Sequence, residues 1–292
     1  MSVPTRDAHR RFLFEDTPIR GGWVALGDTC REVLGRHDYP PVLRRMLGEL
    51  MAAAALLADN LKFRGSLVLQ VQSPGPLRLL VVESTHELGL RAMAKWEGDL
   101  PEGADLQDLA GSGRCVITLD PRDGGNLYQG IVALEHGSIA ALLEHYMQNS
   151  EQLATRIWLA ADGGNARGMM LQRLPAADGA EADNDWQRAT LLASSVRTEE
   201  LLALDAEALV SRLFAEETIR LFAERPVRFQ CGCTEARVAN ALLLLGQYEV
   251  EDILAEQGRI EAACDFCNRK YVFDRPGAMA LFAHAPATSG LH

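Results

Sequence analysis

The sequence is poor in cysteine, with six in 292 residues. That density is far below that of small disulfide-stapled domains, and a chain this long buries enough apolar surface to need no staple. It also lacks a long apolar run. Met51 to Ala58 and Ala241 to Leu245 fall well short of the roughly 20 residues that cross a bilayer, and both read as buried helix faces. No apolar segment follows Met1-Ser2-Val3-Pro4-Thr5-Arg6-Asp7. The expectation is therefore a cytoplasmic chain with no secretory signal and no membrane partner. Basic residues are in deficit: 29 Lys and Arg against 40 Asp and Glu give a net charge of -11. Such a chain repels phosphate backbones, which argues against a nucleic-acid partner. Gly111-Ser112-Gly113 is too short for a phosphate loop or a nucleophile elbow. The seven histidines show no metal spacing, and His136 and His145, at the two ends of a helical stretch, read as surface groups. No enzyme site is expected.

What is present is ordinary globular composition, 48% apolar and 24% charged, at a length suited to two domains. After a short entry the first 60 residues read as mostly helical, with a break at His37-Asp38-Tyr39-Pro40-Pro41 and an Ala/Leu-rich helix over 43–61. Ser66–Gln72 and Leu77–Glu83 flank the turn Ser73-Pro74-Gly75-Pro76, a hairpin pattern. Cys115–Leu119 and Tyr128–Leu134 form another, 138–150 returns to helix, and Arg156–Ala160 with Gly168–Leu174 gives two more strands. The fold class expected is α+β. A mixed α/β domain with β-hairpins packed by helices occupies 1–178, followed by a helical linker over 179–230. A small zinc-binding domain occupies 231–280, and a disordered tail 281–292.

The chemistry concentrates in that small domain. Cys231-Gly232-Cys233 and Cys264-Asp265-Phe266-Cys267 are two tight pairs separated by the 30 residues Thr234 to Ala263. In a reducing compartment, two such pairs suit one tetrahedral Zn²⁺ per chain, held by Cys231, Cys233, Cys264 and Cys267. Four thiolates close the coordination sphere, so a catalytic zinc with an open water position is not expected. Arg228, Arg237, Arg269 and Lys270 stand near enough in sequence to offset the site's charge of about -2. A segment of about 50 residues is marginal on its own, and zinc would supply on the order of 10 kcal/mol of its folding free energy. Thiolates are also the oxidisable form of cysteine, so the chemistry permits a redox switch whose output is loss of order. Two other readings stay open at this point. One is a zinc-ribbon nucleic-acid module, which a basic stripe would favour. The other is a thiol-disulfide oxidoreductase, which would want the Cys-x-x-Cys pair at a helix N-terminus.

Along nearly its whole length the chain resembles the heat shock protein 33 family, the redox-regulated 33 kDa chaperonins of bacteria. The two cysteine pairs and their spacing carry the resemblance. Support comes from Arg11-Phe12-Leu13-Phe14-Glu15, His37-Asp38-Tyr39-Pro40, Leu61-Lys62-Phe63, Leu69–Gln72 through Gly75–Arg78, Tyr128–Val132, Ser150–Leu153 and Met170-Leu171-Gln172. Ala166-Arg167-Gly168 departs from the small residues usual there, without touching a functional position.

The resemblance implies an ATP-independent holdase, inactive while reduced and zinc-bound. Oxidation would join Cys231 to Cys233 and Cys264 to Cys267, with loss of zinc and unfolding of the C-terminal domain. It further implies loosening of the 179–230 linker, dimerisation, capture of unfolding client proteins, and hand-off to ATP-dependent chaperones on reduction. The linker's own pattern fits that role: Leu191, Leu192, Val196, Leu201, Leu202, Leu204, Leu209, Val210, Leu213, Phe214, Ile219, Leu221 and Phe222 are interleaved with acidic residues. Cys30 and Cys115 stand apart. Cys115 reads as a buried inert thiol and Cys30, near a helix start, as partly exposed.

Overall fold

In a computed structural model the described residues are 7–59, 61, 64–121, 124–175 and 179–283. They form two compact units that divide between Gln230 and Cys231.

The first unit opens on an antiparallel hairpin, β1 (Ala8–Phe14) and β2 (Ile19–Leu26), followed by α1 (Asp28–Leu34) and α2 (Pro41–Ala58). Strands β3 (Gly65–Gln72), β4 (Leu77–Thr85) and β5 (Gly89–Trp96) form a meander. Helix α3 (Leu106–Ala110), the hairpin β6 (Arg114–Pro121) and β7 (Tyr128–Ala133), α4 (Ile139–Asn149), and the hairpin β8 (Thr155–Ala161) and β9 (Ala166–Arg173) follow. Then come α5 (Ala180–Ala193), α6 (Thr198–Ala203), α7 (Ala206–Leu213) and the short strands β10 (Ile219–Leu221), β11 (Arg225–Pro226) and β12 (Arg228–Phe229).

These strands make two sheets. One has the order β10-β1-β2-β9-β8, with β11 also paired to β1; the other runs β12-β5-β4-β3-β6-β7. Helix α2 packs against strands of both sheets. Its apolar residues lie on every face, and Leu43, Leu47, Leu50, Met51 and Leu56 are fully buried, as expected of a helix enclosed by a core rather than lying on one. The other face of the first sheet is covered by the 179–230 segment. Phe12, Phe14 and Trp23 from the sheet pack with Leu201, Leu209, Val210, Leu213 and Phe214. Phe14 and Phe214 meet edge to face at 5.0 Å. Gly21 permits this packing, because a Cβ there would lie 2.1 Å from the Phe12 ring.

Three sequence expectations are corrected here. The first 60 residues are not mostly helical, since β1 and β2 fill 8–26. The burial of β1 and β2 shows no clean alternation, because one sheet face meets α2 and the other the linker, and a short two-sided strand gives a weak periodic signal. The linker is not helical throughout. After α7 the alternation Ile219-Arg220-Leu221 adds a strand to the open edge of β1, and Pro226, which has no N–H to donate, sits on that same edge in β11. The tail expected over 281–292 is helical in its first residues, which close α10 (Arg275–Ala283), while 284–292 lie outside the described residues.

The second unit contains α8 (Glu235–Leu245), α9 (Gln247–Gln257), the hairpin β13 (Arg259–Ala263) and β14 (Lys270–Asp274), and α10. Their small core is Leu242, Val250, Leu254, Ile260, Tyr271, Phe273 and Ala278.

Candidate metal centre

The four cysteines come from two local structures. Cys231 and Cys233 lie in extended chain just before α8. Thr234 caps that helix, its hydroxyl accepting from the Arg237 N–H at 3.3 Å, while Arg237 Nη1 donates to the Gly232 carbonyl at 2.9 Å. These bonds fix the Cys-x-Cys backbone against the helix start. Cys264 and Cys267 lie on the turn between β13 and β14. Cys264 N–H donates to Arg269 O at 2.9 Å and Asn268 N–H to Cys264 O at 2.8 Å. Asn268 takes a positive φ of 58°, a left-handed conformation that asparagine tolerates well, and this brings the chain back into β14. The Cys-x-x-Cys pair is therefore on a β-turn and not at a helix N-terminus.

The two loops bring all four Sγ atoms within 4.8 Å of one another. Cys231 and Cys264 are 3.7 Å apart, Cys233 and Cys267 3.3 Å. A tetrahedron of thiolates at about 2.3 Å from Zn²⁺ has S···S edges of about 3.8 Å, so the donor set fits that ion in number, type and spacing. Among the described residues this is the only group of three or more His, Cys, Asp or Glu placed to hold a metal ion. Burial pushes the Cys267 thiol up to about 12, with the adjoining thiols adding to the rise. Burial also pushes Cys233 up, but Tyr271 and the three neighbouring thiols outweigh it and bring it down to about 7. Of the four cations considered from the sequence, Arg237 holds the Cys-x-Cys backbone and Arg269 lies over the Tyr271 ring at 5.4 Å. Arg228 belongs to the first unit, where it faces Glu87 at 3.6 Å.

The two remaining cysteines are both fully buried in the first unit's core. Burial pushes each thiol up to about 12. Cys115 is placed as the sequence indicated, whereas Cys30 is more enclosed than expected because α1 turns it inward beneath α2. His145 is exposed and His136 half-buried, their rings 4.9 Å apart.

A second polar cluster gave no sequence signal. Asp59, just past the C-terminal end of α2, has a side chain only 1% exposed; it accepts from Arg225 Nη1 and forms an ion pair with Arg11, whose Nε stands 3.1 Å away. His9 Nδ1 faces it at 3.6 Å. Arg225 also donates to His86 O at 2.7 Å. One buried carboxylate thus ties the linker strand β11 to β1 and α2. Its partners lie 48 to 166 residues away, which no local spacing could reveal.

The fold and the site define a class: an α+β protein with a strap-covered sheet, followed by a separate four-thiol unit suited to a metal ion. The family described as Hsp33 protein matches residues 7–274. The 33 kDa chaperonin of Methylobacillus flagellatus is 55% identical over 277 residues, 94% of each chain. That of Nitrosococcus oceani is 49% identical over 290 residues, covering 98% of this chain and 99% of its own. The crystal structure of the Thermotoga maritima 33 kDa chaperonin shares the fold, with a TM-score of 0.82 over 95% of this chain and 98% of that one at 22% identity. The chain belongs to the Hsp33 family, and its function is that of a chaperone. None of its helices, among the described residues, is long and apolar enough to cross a membrane.

Proposed function

We propose that the chain is a cytoplasmic, ATP-independent holdase switched by oxidation of its four-cysteine centre. The observation that carries this reading is the convergence of the four Sγ atoms within 4.8 Å in a unit whose buried core, among the described residues, numbers seven. When bound, Zn²⁺ supplies a fourfold cross-link between two loops that the small core cannot hold alone. In the reduced state Cys231, Cys233, Cys264 and Cys267 would hold one ion as thiolates. Oxidation joins Cys231 to Cys233 and Cys264 to Cys267. Each disulfide takes two electrons from a pair of thiolates, and one hydrogen peroxide, with two protons from the solvent, is reduced to two waters per bond formed. Sulfurs in disulfides no longer ligate, so the second unit loses its cross-link and its order.

The 179–230 segment is the element this loss would release. It covers the first sheet with Leu209, Leu213 and Phe214, so detachment would expose both its own apolar face and the sheet's. Exposed apolar surface of that kind binds unfolding clients and favours a homodimer. Reduction would restore the thiolates and pass clients to ATP-dependent chaperones. The experiment is an aggregation assay with a chemically unfolded client. Peroxide with mild heat is expected to switch on suppression and dithiothreitol to reverse it. Equal suppression by the reduced, zinc-loaded protein would defeat the proposal.

A further inference from the structure

A cavity of about 230 Å³ opens beside the Asp59 cluster, lined by His9, Arg11, Arg20, Gly22, Asp59 and Phe222 among others. The strand registers explain its walls. Arg11 pairs with Gly22, and Leu13 with Arg20, so both arginines rise from the sheet face that meets α2. Gly22 keeps the floor open, because a Cβ there would stand 3.2 Å from His9 Nε2 and 3.2 Å from Leu56. Phe222, from the strap, closes one side.

The electrostatics of this cavity are unbalanced. Among the lining residues Arg11 and Arg20 carry two positive charges against the single carboxylate of Asp59, a formal sum of +1, and that carboxylate is already shared with Arg225 behind the wall. Glu15, which follows the last residue of β1, is already bound to Arg220. Arg20 donates from Nε and Nη2 to the neutral Gln172 side chain, and among the described residues no carboxylate lies within 4.0 Å of it. Arg11 contacts Asp59 through Nε, which leaves its two Nη groups.

His9 adds a second, independent sign. It is 1% exposed, and neither ring nitrogen has a hydrogen-bond partner among the described residues. Burial pushes the ring down to about 4, so it is neutral at physiological pH. The Asp59 carboxylate facing Nδ1 selects the tautomer with the proton there, which makes Nε2 an acceptor on the Gly22 side. A ligand matching these groups presents anionic oxygens to guanidiniums and one O–H to a neutral imidazole.

We propose that this cavity is a binding site for hydrogen phosphate, its anionic oxygens on the Arg11 and Arg20 guanidiniums and its O–H donated to His9 Nε2. Sulfate has the same shape and charge but no proton to give, so the site should discriminate between them. Because Phe222 forms a wall, occupancy should also hold the strap.

The test uses the full-length, zinc-loaded, reduced chain, titrated with inorganic phosphate at fixed ionic strength and neutral pH, and with sulfate in parallel. Phosphate should raise the unfolding temperature to a plateau and slow amide exchange over 219–226. Sulfate should give only the shallow, non-saturating rise that excluded salts produce. Arg20→Gln should weaken phosphate binding by about tenfold or more in calorimetry, as for loss of one charge-assisted contact, with Arg20→Lys in between. A non-saturating phosphate response, equal saturable binding of sulfate, or an Arg20→Gln protein that binds like its parent would overturn the assignment. Arg20→Lys also guards against a fold defect, since a variant that folds normally yet ignores the retained charge counts against it too.

Discussion

Replacing Asp59 with Asn tests how the strap is held. The side chain is 1% exposed and anchors Arg225 of β11, Arg11 of β1 and the face of His9. Removing one member of a buried ion pair costs about 3–5 kcal/mol when the other is left buried. Here the arginines are partly exposed, 34% for Arg225 and 54% for Arg11, so water can solvate them and the lower end, about 3 kcal/mol, applies. The surface pair Arg220–Glu15, whose members are 58% and 37% exposed, joins the same strap to the same strand. Breaking it with Arg220→Gln should cost less than about 1 kcal/mol. Urea unfolding gives both values, and amide exchange over 219–229 reports where the loss occurs. Asp59→Asn should expose those amides and show partial holdase activity in the reduced state with its zinc retained, whereas Arg220→Gln should behave as the parent. If Asp59→Asn matches the parent within about 0.5 kcal/mol with normal protection at 225–229, burial of this carboxylate does not hold the strap.

Three further outcomes follow from the same structure. His9 titrates near 6.5 when unfolded and about 4 when folded, so between those values the unfolded chain binds the extra proton. Stability should therefore be fully present above about pH 6.5 and fall as pH drops toward 4, by up to about 3 kcal/mol, and His9→Gln should flatten that slope in urea titrations. Native thiol counting after metal chelation should find four reactive cysteines rather than six, because Cys30 and Cys115 are buried with thiols held near 12; six fast-reacting thiols would contradict the core packing. Chelation of the reduced protein, or Cys233→Ser, should collapse the amide dispersion of 231–283 while the first unit keeps its cooperative unfolding transition, since the two have separate cores.

The four-cysteine cluster was legible in the sequence because each cysteine pair is local: one or two intervening residues set the spacing. Hairpins with marked turns, such as Ser73–Pro76, were legible for the same reason. What could not be read depends on tertiary contacts. Strands β1 and β2 are packed on both faces and lose a clean alternation. Strands β10 and β11 exist because β1 has an open edge, and a three-residue strand carries no periodic signal of its own. Cys30 is buried by the placement of α1 against α2. The Asp59 cluster joins His9, Arg11 and Arg225 across up to 166 residues, and its carboxylate sits at the end of a run that reads only as apolar helix.

The central claim is that the state of four cysteines sets chaperone activity. It is tested most directly by following zinc release and suppression of client aggregation in one sample through oxidation by peroxide at mild heat and re-reduction by dithiothreitol. The account predicts release of about one zinc per chain, with activity rising as the metal leaves and falling as the thiols and metal are restored. Activity that rises while all four thiols and the zinc remain in place would contradict it.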